Sequence, residues 1–233
     1  MNTILQTLFS PEKAFNELKQ ESKFPAMALI KLLLLMTVYL ILLVPVTAKI
    51  TAIMMSSMPL PEAQLNRALE IAHKLRYLQV IGGIFATAIT LFLYALLLYI
   101  ITLIAKPALN YTKSLILIVY SYFALVIGEL INAGILYIRG LDKITNPFEI
   151  SLTGLNLLTT VEKIGAAGYT FLTLINPFQI WFVILLSIGL KVFAEIKYAK
   201  ALIICIIFWL LTAIYPVVAV LLSETAMKNA GFM

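Results

Sequence analysis

Five apolar stretches, each close to the length a bilayer demands, constrain this chain more than any other feature of it. A membrane-spanning helix needs about 20 mainly apolar residues at 1.5 Å of rise each. Residues 26–50, 78–105, 114–138, 177–193 and 201–222 meet or approach that requirement. The second and fifth carry no charge, the first contains Lys31 and Pro45, and the third contains Glu129 and Asn132. The fourth is short enough to need its neighbours. The first run follows a segment with three acids and is long enough to stay in the membrane, unlike a cleaved leader. The reading is an all-α integral membrane bundle of five transmembrane helices, spanning residues 26–222.

Composition agrees and removes alternatives. Hydrophobic residues make up 62% of the chain and charged residues only 12%, against about 25% charge in soluble proteins. A water-soluble enzyme is excluded. One cysteine, Cys205, and one histidine provide neither an internal disulfide nor an ordinary zinc site. The net charge of +6 sits mostly at the ends of the apolar runs, the distribution that membrane insertion produces. It points to the lipid bilayer and not to nucleic acid. No phosphate loop, nucleophile elbow or catalytic carboxylate pair is present, so neither enzymatic activity nor a cofactor is expected.

Five spans place the termini on opposite sides. Nine basic residues fall on the N-terminal side and eight on the other, but the first set is denser, above all in two tight loops carrying Lys106 and Lys113, and Lys191, Lys197 and Lys200. Basic density marks the cytoplasmic side. The expected topology is a cytoplasmic N-terminal segment, residues 1–25, and a short outer tail, residues 223–233, in a prokaryotic cytoplasmic membrane.

Two amphipathic segments lie outside the spans. Ser10 and Pro11 have the form of a helix cap and first turn, and Ala14, Phe15 and Leu18 then share a face. Pro11, Phe15 and Leu18 therefore mark either an interfacial helix under the headgroups or a docking helix for a cytoplasmic partner. Pro61–Glu62 opens a second helix, with Leu65, Ala68, Leu69, Ala72 and Leu75 in one stripe. Nothing breaks it before the second span, so one helix of about 44 residues is expected, reaching some 25 Å beyond the membrane as part of a protruding helical hairpin.

Glu129 is the only acid deep in a span, which makes it a functional candidate by default. Asn132 lies three residues on, on the same helix face. Thr87, Ser187 and Thr212 fall at a similar depth when the helices are run at 1.5 Å per residue, suggesting one polar layer. Two readings stand: Glu129 as helix-to-helix glue, or Glu129 as a proton or cation site in a transport path.

Three stretches carry a family resemblance. Leu8-Phe9-Ser10-Pro11-Glu12-Lys13-Ala14-Phe15 is similar to a Pro-x-x-Ala-Phe lead-in, and Lys113-Ser114 with Tyr120-Ser121-Tyr122 to the start of a third span. Most specific is Asn176-Pro177-Phe178-Gln179-Ile180-Trp181, followed by Gly189-Leu190, Lys200-Ala201 and Trp209. Together they resemble the Yip family, five-span membrane proteins named for interaction with Ypt/Rab GTPases. The Asp-Leu-Tyr-Gly-Pro and Gly-Tyr-x-x-Leu-Pro motifs of eukaryotic members are absent; Val119 and Leu125-Val126 stand at the Gly and Leu-Pro positions of the second. The likeness is thus to the prokaryotic branch, and implies a fold and a location rather than a biochemical activity. The expected work is scaffolding or regulating membrane proteins or lipids, with a membrane-protein partner or a second copy of the chain. Alternatives are a small ion or solute transporter or channel using Glu129 and Asn132, and a lipid-handling protein.

Overall fold

A computed structural model describes residues 3–21, 24–56, 61–106 and 109–229. Two short helices, α1 (Thr3–Phe9) and α2 (Pro11–Glu21), precede three long ones, α3 (Ala26–Ser56), α4 (Glu62–Ala105) and α5 (Tyr111–Arg139). Three brief 3-10 turns and α6 (Val161–Thr173) lead to α7 (Pro177–Ala194) and α8 (Tyr198–Asn229). Each expected apolar stretch falls within one long helix, and no strand occurs among the described residues. α4 is 44 residues long, unbroken through Gly82-Gly83, as its sequence suggested. α8 runs on into the expected tail, because Ala226, Met227 and Lys228 are good helix formers.

α5 is the axis. Of its most apolar window 61% is buried, against 17–22% for α3, α4 and α8, and it packs on α3, α4 and α7. The outer helices turn their apolar residues to lipid. On α8 these run from Ile203 to Leu222, an axial distance of about 28 Å that matches a hydrocarbon core. The helices therefore contact the bilayer directly.

Asparagine starts two of the spans. Asn110 Oδ1 accepts the Lys113 amide at 2.8 Å, and Asn176 Oδ1 accepts that of Gln179 at 2.8 Å with Pro177 in the first turn. The similar Asn146-Pro147-Phe148 caps only a 3-10 turn, Asn146 Oδ1 accepting the Phe148 amide at 3.0 Å. Tyr137 Oη donates to the Leu42 carbonyl at 2.6 Å, in the stretch of α3 that Pro45 perturbs.

The N-terminal helices sit on the bundle end formed by Ala105, Tyr111, Ala194 and Tyr198, termed the near face. Phe15 is fully buried, edge-on to Phe193 with centroids 6.3 Å apart, over Gly189. A Cβ at Gly189 would lie 2.6 Å from Leu117 and 3.0 Å from Phe15, so glycine permits this close approach. Lys191 pairs with Glu12 at 2.7 Å; Lys19 pairs with Glu195 and donates to the Val192 carbonyl at 3.1 Å, covering the exposed C-terminal carbonyls of α7. The apolar face of α2 is thus turned to the bundle, Leu18 included, and Pro11 forms its first turn. Amphipathic spacing alone does not distinguish a protein surface from lipid.

Candidate functional site

α7 has 18 residues, while α3, α4, α5 and α8 have 29 to 44. It ends early on the far side, where Phe178 packs over Gly128; a Cβ there would come within 2.5 Å of the Phe178 ring. The segment 141–175 folds back to cover the space that α7 leaves, with α6 against α8. Beneath this cap a cavity of about 190 Å³ remains, room for several waters or a small polar group.

The cavity draws on all five spans and the cap. Its polar wall comprises Glu129, Tyr94, Tyr122, Thr153, Gln179 and Thr212. Its floor is aromatic: Tyr94, Tyr122 and Phe182 line it, and with the buried Phe208 behind them they pack in a ring of contacts with centroids 5.6–6.5 Å apart. These four lie about 15–18 Å along their helices from the near-face ends, at mid-membrane, while Glu129 stands about 27 Å from Tyr111. Polar groups thus lie on the far side of an aromatic layer.

Glu129 Oε2 accepts a hydrogen bond from Tyr39 Oη at 2.8 Å, and its side chain remains accessible from the cavity. Asn132, on the same face, is fully engaged elsewhere. Its Nδ2 donates to the Ile150 carbonyl and its Oδ1 accepts the Leu152 amide, both at 2.8 Å, pinning the cap to α5. Nor do the five polar residues form one layer. Thr212 lines the cavity, its hydroxyl donating to the Trp209 carbonyl at 2.9 Å. Thr87 donates to the Gly83 carbonyl at 2.8 Å and is outside the cavity wall. Ser187 donates to the Val183 carbonyl at 2.7 Å and lies on the near side of the aromatic layer, because α7 starts so low in the membrane.

The Asn176-Pro177-Phe178 motif builds the site: Asn176 caps α7 and lines the cavity, Pro177 sets the first turn, and Phe178 closes on Gly128. Trp181 points elsewhere and is 37% exposed. Sequence reasoning did not single out Tyr39, Tyr94 or Thr153, and it named Tyr122 and Gln179 only within the family-like stretches, not as cavity residues. The available signal was a tyrosine hydroxyl in the middle of a span, which must find a partner away from water.

Outside the spanning helices, the hydrogen bonds that Thr160 and the backbone of Glu162 give its side chain, at the start of α6, hold the carboxyl below the ordinary carboxylate range. No group of three or more metal-ligating side chains occurs among the described residues.

Comparison with known proteins agrees with the sequence motifs. No curated protein and no solved structure matches the chain. The family model of the Yip1 domain matches residues 5–220, nearly the entire length. This integral membrane protein belongs to the Yip1-domain family.

Proposed function

We propose that the protein is a non-enzymatic organiser of a prokaryotic cytoplasmic membrane, scaffolding or regulating membrane proteins or lipids. Its N-terminal segment, residues 1–25, lies in the cytoplasm, residues 26–222 form the membrane domain, and residues 223–233 end outside. The basic loops on the near face support this orientation.

One observation carries the scaffolding role. α4 is about 66 Å long, roughly twice a hydrocarbon thickness, and α3 accompanies it. Ile71, Leu75 and Tyr77 are 45–73% exposed. They stand about 42–51 Å from Ala105 along the axis, beyond the far end of the lipid-facing belt on α8 at about 36 Å. Exposed apolar residues outside the membrane mark an interaction surface, and a paired, charged helical arm is suited to present one. Glu70 and Lys74 form an ion pair on it at 2.7 Å.

The test is a photo-activated cross-linker at Ile71 and Leu75 in native membranes. Discrete adducts, either with a membrane protein or with a second copy, are expected; a smear identical to that from the lipid-facing position Ile207 would sink the reading. A second reading, a small ion or solute transporter, is favoured by the cavity's having walls from every span. The aromatic floor speaks for a one-sided site instead. Proton or solute flux into liposomes that disappears in Glu129→Gln would restore transport.

A further inference from the structure

The polar cavity has an apolar neighbour. Between α7 and α8 runs a groove of about 340 Å³ walled by Ile180, Val183, Ile184, Leu202, Ile206 and Trp209. Leu174 and Gln179 belong to the walls of both. The two spaces abut in a definite order along the membrane normal. The cavity occupies about 15–27 Å from the near-face helix ends and the groove about 6–21 Å. Polar chemistry thus faces the far surface and hydrocarbon chemistry points to the bilayer centre, the order within a lipid of the far leaflet.

The charge is equally specific. Glu129 is the one charged side chain among the described residues of the cavity wall. A carboxylate offers about four acceptor sites, and Tyr39 fills one of them. Tyrosine and phenylalanine rings, Tyr94, Tyr122, Phe178 and Phe182, share the cavity wall with Glu129. A carboxylate with aromatic faces and no neighbouring base is a receptor for an organic ammonium group. At the junction, Gln179 supplies amide N–H donors for phosphate or ester oxygens. The groove wall also holds the Trp209 indole N–H, buried and without an acceptor among the described residues, a donor toward which an ester carbonyl would be drawn. Ile180 and Ile206 are 53% and 41% exposed, so the groove opens to lipid along its length.

We propose that cavity and groove together hold one amine-headed membrane lipid, its ammonium at Glu129 and the tyrosine rings, its acyl chain between α7 and α8. This site does not depend on the α3–α4 arm, and either assignment can fail alone.

Native mass spectrometry tests it on the full-length protein in mild detergent, with equimolar phosphatidylethanolamine and phosphatidylglycerol added. One phosphatidylethanolamine per chain is expected to be retained in preference. Glu129→Gln should weaken that retention about thirtyfold, the scale on which removing one partner of a buried charge pair acts. Ile206→Trp fills the groove from its lipid side, so it spares the core and should weaken retention as well. Thermal unfolding establishes that each variant is folded; should Glu129→Gln fail to fold, Ile206→Trp and the lipid preference of the unaltered protein still decide. Equal retention of the two lipids, or phosphatidylethanolamine retention unchanged in the folded variants, would overturn the proposal. Ethanolamine alone binding as tightly as the lipid would overturn the lipid assignment in favour of a free amine.

Discussion

The two ends of the bundle solve opposite problems. At the near face, α2 lies on α7 through Phe15, Phe193 and Gly189, and Lys19 and Lys191 are paired with Glu195 and Glu12. The Phe15 ring is fully enclosed there, and both of these lysines have carboxylate partners. At the far face, α7 stops early, and the cap covers a cavity lined by a carboxylate, hydroxyls and amides. The difference shows that polarity in the bundle follows helix length: where one span runs short, backbone ends and polar side chains enter the membrane, and side chains from elsewhere must satisfy them.

Substitutions at the two ends should therefore fail in different ways. The largest effect is expected for Phe15→Ala, which empties a fully buried ring site and destabilises the docked N-terminal helices by about 3–5 kcal/mol. Limited proteolysis should then cut within residues 3–21, with the far side still protected; cleavage unchanged from the unaltered protein would show that the ion pairs alone hold the helices.

Gly128→Val comes next, overpacking the Phe178 contact by up to about 3 kcal/mol. Thermal unfolding in detergent should show the loss, and cysteine labelling at position 179 should change as α7 shifts. Asn132→Ala leaves the Ile150 carbonyl and Leu152 amide unpaired, worth about 1–2 kcal/mol. Hydrogen exchange should accelerate at residues 150–152 and stay unchanged in α2. An equal rise at both ends would break the distinction between them.

The smallest effect concerns pH. The hydrogen bond from Lys19, then its charge, holds the Glu195 carboxyl below the ordinary carboxylate range. Its contribution is complete above the unfolded carboxylate value, about 4.3, and is lost as pH falls through the lowered folded value. N-terminal proteolysis should rise slightly under such acid conditions and at high salt, and Glu195→Gln should remove the acid dependence that comes from this pair.

Much of the architecture was legible in the chain because lipid imposes a one-dimensional rule. Apolar runs located α3, α4, α5, α7 and α8, and the unbroken pattern after Pro61 anticipated α4. The cavity was only half legible. Glu129 stood out as a lone acid, but its hydrogen-bond partner Tyr39 is ninety positions away, and helical spacing carries no information about that meeting. Spacing instead coupled Glu129 to Asn132, whose amide serves the cap. Equal depth was assigned to Ser187 by assuming that α7 reached as high as its neighbours. The face of Phe15 and Leu18 was visible, though what covers it was decided by Gly189 and Phe193, remote in sequence.

The continuity of α4 has a mechanical consequence. One unbroken rod carries Ile71 on the arm and Tyr94 in the cavity floor, about 35 Å apart along its axis. A tilt of about 5° pivoting at Tyr94 would swing Ile71 sideways by about 3 Å, given that lever length. A contact that tilts the arm outside the membrane therefore turns the same helix that holds Tyr94 at the cavity.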